Sequence, residues 1–138
     1  MARFTGSGDG QGGTGPLDPV TAPNRLFIDG YGNGGFRIAG EFHRGSHFIL
    51  PDRAIAWPVS AFDEAGAASF APLIEAAGEA ELLLIGMGAR MQPVPAAIRD
   101  ICRAAGLTVE PMDTGAAART YNILLAEDRR VAAALIAI

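Results

Sequence analysis

The chain has 138 residues, a net charge of −4, 49% apolar and 19% charged side chains. That describes one globular domain, able to bury roughly 68% of its unfolded surface. The weakly acidic balance excludes a nucleic-acid binder, which needs a basic face, and a lone Cys102 excludes an intrachain disulfide or a thiolate zinc site.

Residues 1–23 are rich in glycine and proline, from Gly6 to Pro23. Such a stretch has few side chains to bury and much backbone entropy to lose, so a disordered tail is expected ahead of a single domain over 24–138. No strand precedes these glycines and no Lys-Ser/Thr pair closes them, so they do not read as a phosphate loop.

Residues 25–58 read as short strands in an antiparallel meander. Leu26, Phe27 and Ile28 precede a turn signal at Asp29-Gly30, and Phe36 and Ile38 alternate with Arg37. Phe42 leads to a turn at Gly45-Ser46, Phe48 to Leu50 stop at Pro51-Asp52, and Ile55 and Trp57 stop at Pro58. This meander either extends the main sheet or lies over it as a second layer.

The rhythm then changes to helix and strand in alternation. Phe70, Leu73, Ile74 and Ala77 predict a helix over 67–77, and Leu82 to Ile85 a strand covered on both faces. A helix from Pro95 to Ala105 buries Ile98, Ile101, Cys102 and Ala105, and Gly106 stops it. Leu107 to Val109 form a strand, Gly115 to Ala126 a helix packing Tyr121, Leu124 and Leu125, and Val131 to Ile138 the closing strand. Alternation of this kind implies parallel strands with right-handed crossovers, hence an α/β fold.

The most informative local sequence is Ile85-Gly86-Met87-Gly88, a strand end turning into Pro93 and Pro95 at a helix start. It has two glycines of a dinucleotide fingerprint, with Glu110 at the spacing of the ribose acid, but Met91 stands at the third glycine. A tight βα turn is the better reading. A second such turn, Met112-Asp113-Thr114-Gly115, carries Asp113 or Thr114 as helix cap. If the two strands are neighbours, both loops open at the sheet's carboxyl edge, where ligands of open α/β sheets bind. Gly86, Gly88, Arg90, Asp113, Thr114, Arg119 and Asn122 are the candidate pocket residues there. They include an arginine for an anion but no nucleophile with a base.

The remaining chemistry is sparse. His43 and His47 flank Arg44-Gly45-Ser46 and read as surface hairpin histidines, a poor metal site without a third ligand. Cys102 lies on an inward helix stripe, where a thiol behaves as a small apolar group. Trp57 reads as a core or edge anchor, and no serine has the elbow of a hydrolase. No catalytic residue, metal or cofactor is therefore assigned. No apolar run approaches the ~20 residues of a membrane span, and the front end has neither the apolar stretch of a secretory signal nor the Arg-rich pattern of a transit peptide. A cytoplasmic protein is expected, and a free edge strand offers a route to a homodimer.

Three stretches are familiar together: Gly40 to Pro51 with Trp57; Leu82 to Gly88 with Pro93 and Pro95; and Met112-Asp113-Thr114-Gly115 running through Arg119, Tyr121 and Asn122 to Ile136. They resemble a small α/β domain family that includes the mitochondrial complex I assembly factor 3 and uncharacterised bacterial and archaeal relatives. The resemblance covers roughly residues 24 to 138 and departs at Met87, where threonine is expected. It implies a three-layer α/β domain with a mixed central sheet, no catalytic residues and no required cofactor. It also implies protein partners, among them subunits of a respiratory or other membrane complex, and a place in the cytoplasm or at the inner membrane's periphery.

Overall fold

In the computed structural model, residues 25–138 are described; the expected tail over 1–23 lies outside them. The first three strands, β1 (Ile28–Gly32), β2 (Gly35–Ile38) and β3 (Glu41–Arg44), form an antiparallel sheet in that order. Two-residue turns join them. Asn33 and Gly34 have φ of 55° and 80°, and Ala39 and Gly40 have φ of 51° and 82°. Positive φ at both positions suits the twist of a tight hairpin. The turn expected at Asp29-Gly30 is therefore misplaced. Those residues lie inside β1 at a break in register, and the Asp29 carboxylate accepts the Gly40 amide at 2.7 Å.

The central sheet holds β4 (His47–Leu50), β5 (Arg53–Ala56), β6 (Leu82–Gly86), β7 (Thr108–Met112) and β8 (Val131–Leu135), in the order β5-β4-β8-β6-β7. β6 runs parallel to both β7 and β8, whereas β4 is antiparallel to β8 and β5. The front of the chain thus does both things expected of it: β4 and β5 extend the central sheet, while β1 to β3 form a separate one.

Three helices connect the later strands: α1 (Ala71–Ala76), α2 (Ala96–Ala104) and α3 (Thr114–Ala126). The helix expected from residue 67 reaches α geometry only at Ala71; Ala67–Phe70 wind as a 3-10 turn. Pro72 then stands in the first turn of α1, where its missing N–H costs nothing.

Period-2 alternation sorts the sheet's side chains into two cores. Phe48, Leu50, Leu83, Ile85, Ala132 and Ala134 face Trp57, Phe70, Leu73, Ile98 and Cys102. Ile49, Leu84, Val131, Ala133 and Leu135 face α3 through Ala117, Ala118, Tyr121 and Leu125, together with Ile28, Phe36 and Ile38 of the meander. The result is three layers: α1 and α2, the mixed sheet, then α3 with the meander. Trp57 is a core anchor, its ring 4.8 Å from that of Phe48 and its indole N–H donated to the Ser69 hydroxyl at 3.1 Å.

Candidate functional site

Because β6 and β7 are parallel neighbours, with Gly86 opposite Met112, their following loops open at one edge of the sheet. Gly86, Gly88, Asp113 and Thr114 meet there. A Cβ on Gly86 would lie 2.9 Å from both the Thr114 Cα and the Leu135 side chain, so its bareness lets α3 close onto the sheet. Gly88 has φ of +92°, the left-handed conformation that reverses the chain after β6.

Hydrogen bonds within the chain occupy this corner. Thr114 is fully buried. Its hydroxyl accepts the Gly88 amide at 2.9 Å and donates to the Ile136 carbonyl at 2.7 Å. The Thr114 amide returns to the Gly88 carbonyl, the Met87 amide to the Met112 carbonyl, and the Ile136 amide to the Gly86 carbonyl, each at 2.9 Å. Asp113 caps α3 by accepting the Ala116 amide at 2.8 Å. The positive pole of α3 is thus met by an acidic side chain of its own chain. Tyr31 covers it further: its hydroxyl lies 2.8 Å from where a Gly115 Cβ would stand.

The other sequence candidates do not converge on these four. Asn122 points to the meander and grips the Ile28 backbone twice, accepting its amide at 2.8 Å and donating to its carbonyl at 2.7 Å. Arg119 donates to the Tyr31 hydroxyl at 2.7 Å. Both side chains dock β1 onto α3. Arg90 sits exposed in the loop after β6. This edge also carries three large exposed apolar side chains, Tyr31, Met91 and Ile138. Ile138 is placed there by its carbonyl, which accepts the Gly34 amide at the β1–β2 turn.

His47 is not the surface hairpin histidine expected. It is only 6% exposed in β4, its Nδ1 2.9 Å from the Gly45 carbonyl and its ring 5.5 Å from that of His43. Burial pushes its pKa down; the Gly45 hydrogen bond opposes that, and His43 adds to it. Cys102 is fully buried, and burial pushes its thiol pKa up, which keeps it protonated.

A cleft at the opposite, amino edge was missed in the sequence. It gathers Arg25, Arg53, Arg129 and Arg130 around an apolar floor. The available signal was the pair of basic turns Pro51-Asp52-Arg53 and Asp128-Arg129-Arg130, but their spatial proximity depends on β4 pairing with β8.

Comparison with known proteins places this geometry. A family model described as "Protein of unknown function (DUF498/DUF598)" matches residues 28–136. An uncharacterized protein of Rhodobacter capsulatus is 47% identical over 121 residues, covering 88% of this chain and 91% of that protein. The NADH dehydrogenase [ubiquinone] 1 alpha subcomplex assembly factor 3 of Xenopus tropicalis is 32% identical over 111 residues. That match covers 80% of this chain but only 61% of the assembly factor. A solution structure of a Mth938-like domain from Bordetella pertussis superposes with a TM-score of 0.74 at 30% identity, over 88% of this chain and 90% of that one.

Proposed function

Because the chain belongs to the DUF498/DUF598 family of proteins of unknown function, we propose that it is a non-enzymatic assembly factor, binding protein partners of a respiratory or other membrane complex. The observation that carries this reading is the likeness to complex I assembly factor 3 through most of the described domain. The action proposed is at the membrane's surface, from the cytoplasmic side; no helix among the described residues is long and apolar enough to cross a membrane. It needs no metal and no cofactor.

The carboxyl edge is the proposed docking face. The Met87, Gly88, Thr114 and Ala116 amides are already used within the chain, which leaves less for binding a small ligand but does not hinder a protein. Tyr31, Met91 and Ile138 offer apolar area there, and Arg90 and Arg119 supply positive charge beside it. Apolar anchors with an arginine are the composition of protein interfaces.

Deleting the gene in the native cell and resolving membrane complexes on native gels tests the reading. The expected result is loss of fully assembled NADH dehydrogenase, restored by the wild-type chain and not by a Met91→Asp/Ile138→Asp variant. Membrane complexes of unchanged size and amount after deletion would sink the assembly role.

A further inference from the structure

The amino edge of the central sheet holds a cleft of about 390 Å³, within the range of small-molecule sites. Leu50, Ala76, Ala77, Leu125 and Val131 line it with apolar surface. Arg25, from the segment before β1, Arg53, opening β5, and Arg129 and Arg130, between α3 and β8, reach its walls. Against them stand Asp52, Glu79 and Asp128, so the lining is net positive by one charge in a chain of net −4.

Arg25 is committed to the fold: its guanidinium donates to the Leu125 carbonyl at the end of α3 and pairs with Asp128. The other three are loosely held. Among the described residues Arg53 reaches only its neighbour Asp52, at 3.4 Å, and Arg130 lies 3.5 Å from Glu81 and 3.8 Å from Glu79. Arg129 makes no ion pair among the described residues. Exposed pairs of this kind add little stability, so an incoming anion displaces them readily. The buried Tyr121 hydroxyl of α3 has no hydrogen-bond partner among the described residues. Burial pushes its pKa up, with Arg25 opposing and Asp52 adding to that rise.

We propose that this cleft binds a small organic anion, a carboxylate or phosphate ester carrying an apolar body. Arg53, Arg129 and Arg130 hold the anionic group by charge-assisted hydrogen bonds, and Leu50, Leu125 and Val131 lie under the body. This site is on the opposite edge from the proposed docking face and does not depend on the assembly role.

Titrating the isotope-labelled full chain with phenyl phosphate and with benzoate, followed by backbone amide resonances, tests it. The expected result is saturable shifts at Gly78, Ala80, Leu125 and Val131 with at least one of the two, and the tighter ligand assigns the head group. Inorganic phosphate and benzyl alcohol, each carrying half of the chemistry, bind roughly tenfold more weakly. An Arg53→Gln/Arg129→Gln variant, both exposed positions, loses roughly tenfold in affinity with its spectrum otherwise intact, while Arg90→Gln loses nothing. The single Arg129→Gln variant serves should the double one not fold. No saturable shift with either anion, shifts centred on Gly88 and Thr114, or unchanged affinity in the arginine variants would overturn the proposal.

Discussion

Gly88 and Thr114 hold each other by reciprocal hydrogen bonds, the Gly88 amide to the Thr114 hydroxyl and the Thr114 amide to the Gly88 carbonyl, both at 2.9 Å. The same hydroxyl donates to Ile136 at 2.7 Å, so one buried oxygen ties together the β6 loop, the start of α3 and the end of β8. Thr114→Val keeps the shape and removes the hydroxyl, leaving a buried donor and a buried acceptor unpaired. The expected loss is about 2–6 kcal/mol, at about 1–3 for each orphaned group. Denaturant unfolding measures it, and Thr114→Ser should recover most of the loss.

Gly86→Ala probes how closely α3 approaches the sheet. The added methyl meets Thr114 Cα and Leu135 at 2.9 Å, and the former is backbone that cannot rotate away. Overpacking of this kind costs about 1–3 kcal/mol. A variant as stable as wild type in thermal unfolding would contradict the close packing described.

Asn122→Leu should loosen the meander without melting the central sheet. The amide of Asn122 satisfies both backbone groups of Ile28 across 94 positions of sequence. Without it, hydrogen exchange should quicken in β1 and β2 while β6 and β8 keep their protection. Uniform acceleration in all strands would show that the two sheets unfold as one unit.

His47 predicts a loss of stability in mild acid. Burial holds its pKa below its ordinary value of 6.5. The unfolded chain therefore takes up the proton first, so the stability is present above about pH 6.5 and is lost as the pH falls through the window beneath it. His47→Asn, whose amide nitrogen stands where Nδ1 does and can still donate to the Gly45 carbonyl, should show a flatter stability profile between about pH 7 and about pH 5. Parallel profiles for the two proteins would assign the acid sensitivity elsewhere.

Much of the local structure was legible because local periodicity encodes it. The run Leu82 to Ile85 forms a strand buried on both faces, and the stripe of Ile98 and Cys102 faces the core on α2. The first hairpin was legible too, but in the wrong place: Asn33-Gly34 is the stronger turn signal, yet Asp29-Gly30 resembles it and comes earlier in the chain. Extended β structure tolerates Asp29-Gly30 because the Asp29 carboxylate finds the Gly40 amide, a partner that no local window contains.

The candidate site was legible only as a location. Parallel pairing of β6 and β7 brings Gly86, Gly88, Asp113 and Thr114 to one edge, as the two βα turns implied. The directions of Arg119 and Asn122 were not legible, because they depend on the meander packing against α3.

The sequence by itself determined the elements, the two-faced burial of the central strands and the close turns around Gly86 and Gly88, since these rest on side-chain period and backbone sterics over a few residues. Only the tertiary structure decided the strand order β5-β4-β8-β6-β7, the buried state of His47 and the gathering of Arg25, Arg53, Arg129 and Arg130 in one cleft. Each of those depends on pairings such as Ile49 with Ala133, contacts between distant segments whose free energy comes from burying both at once and is written in neither alone.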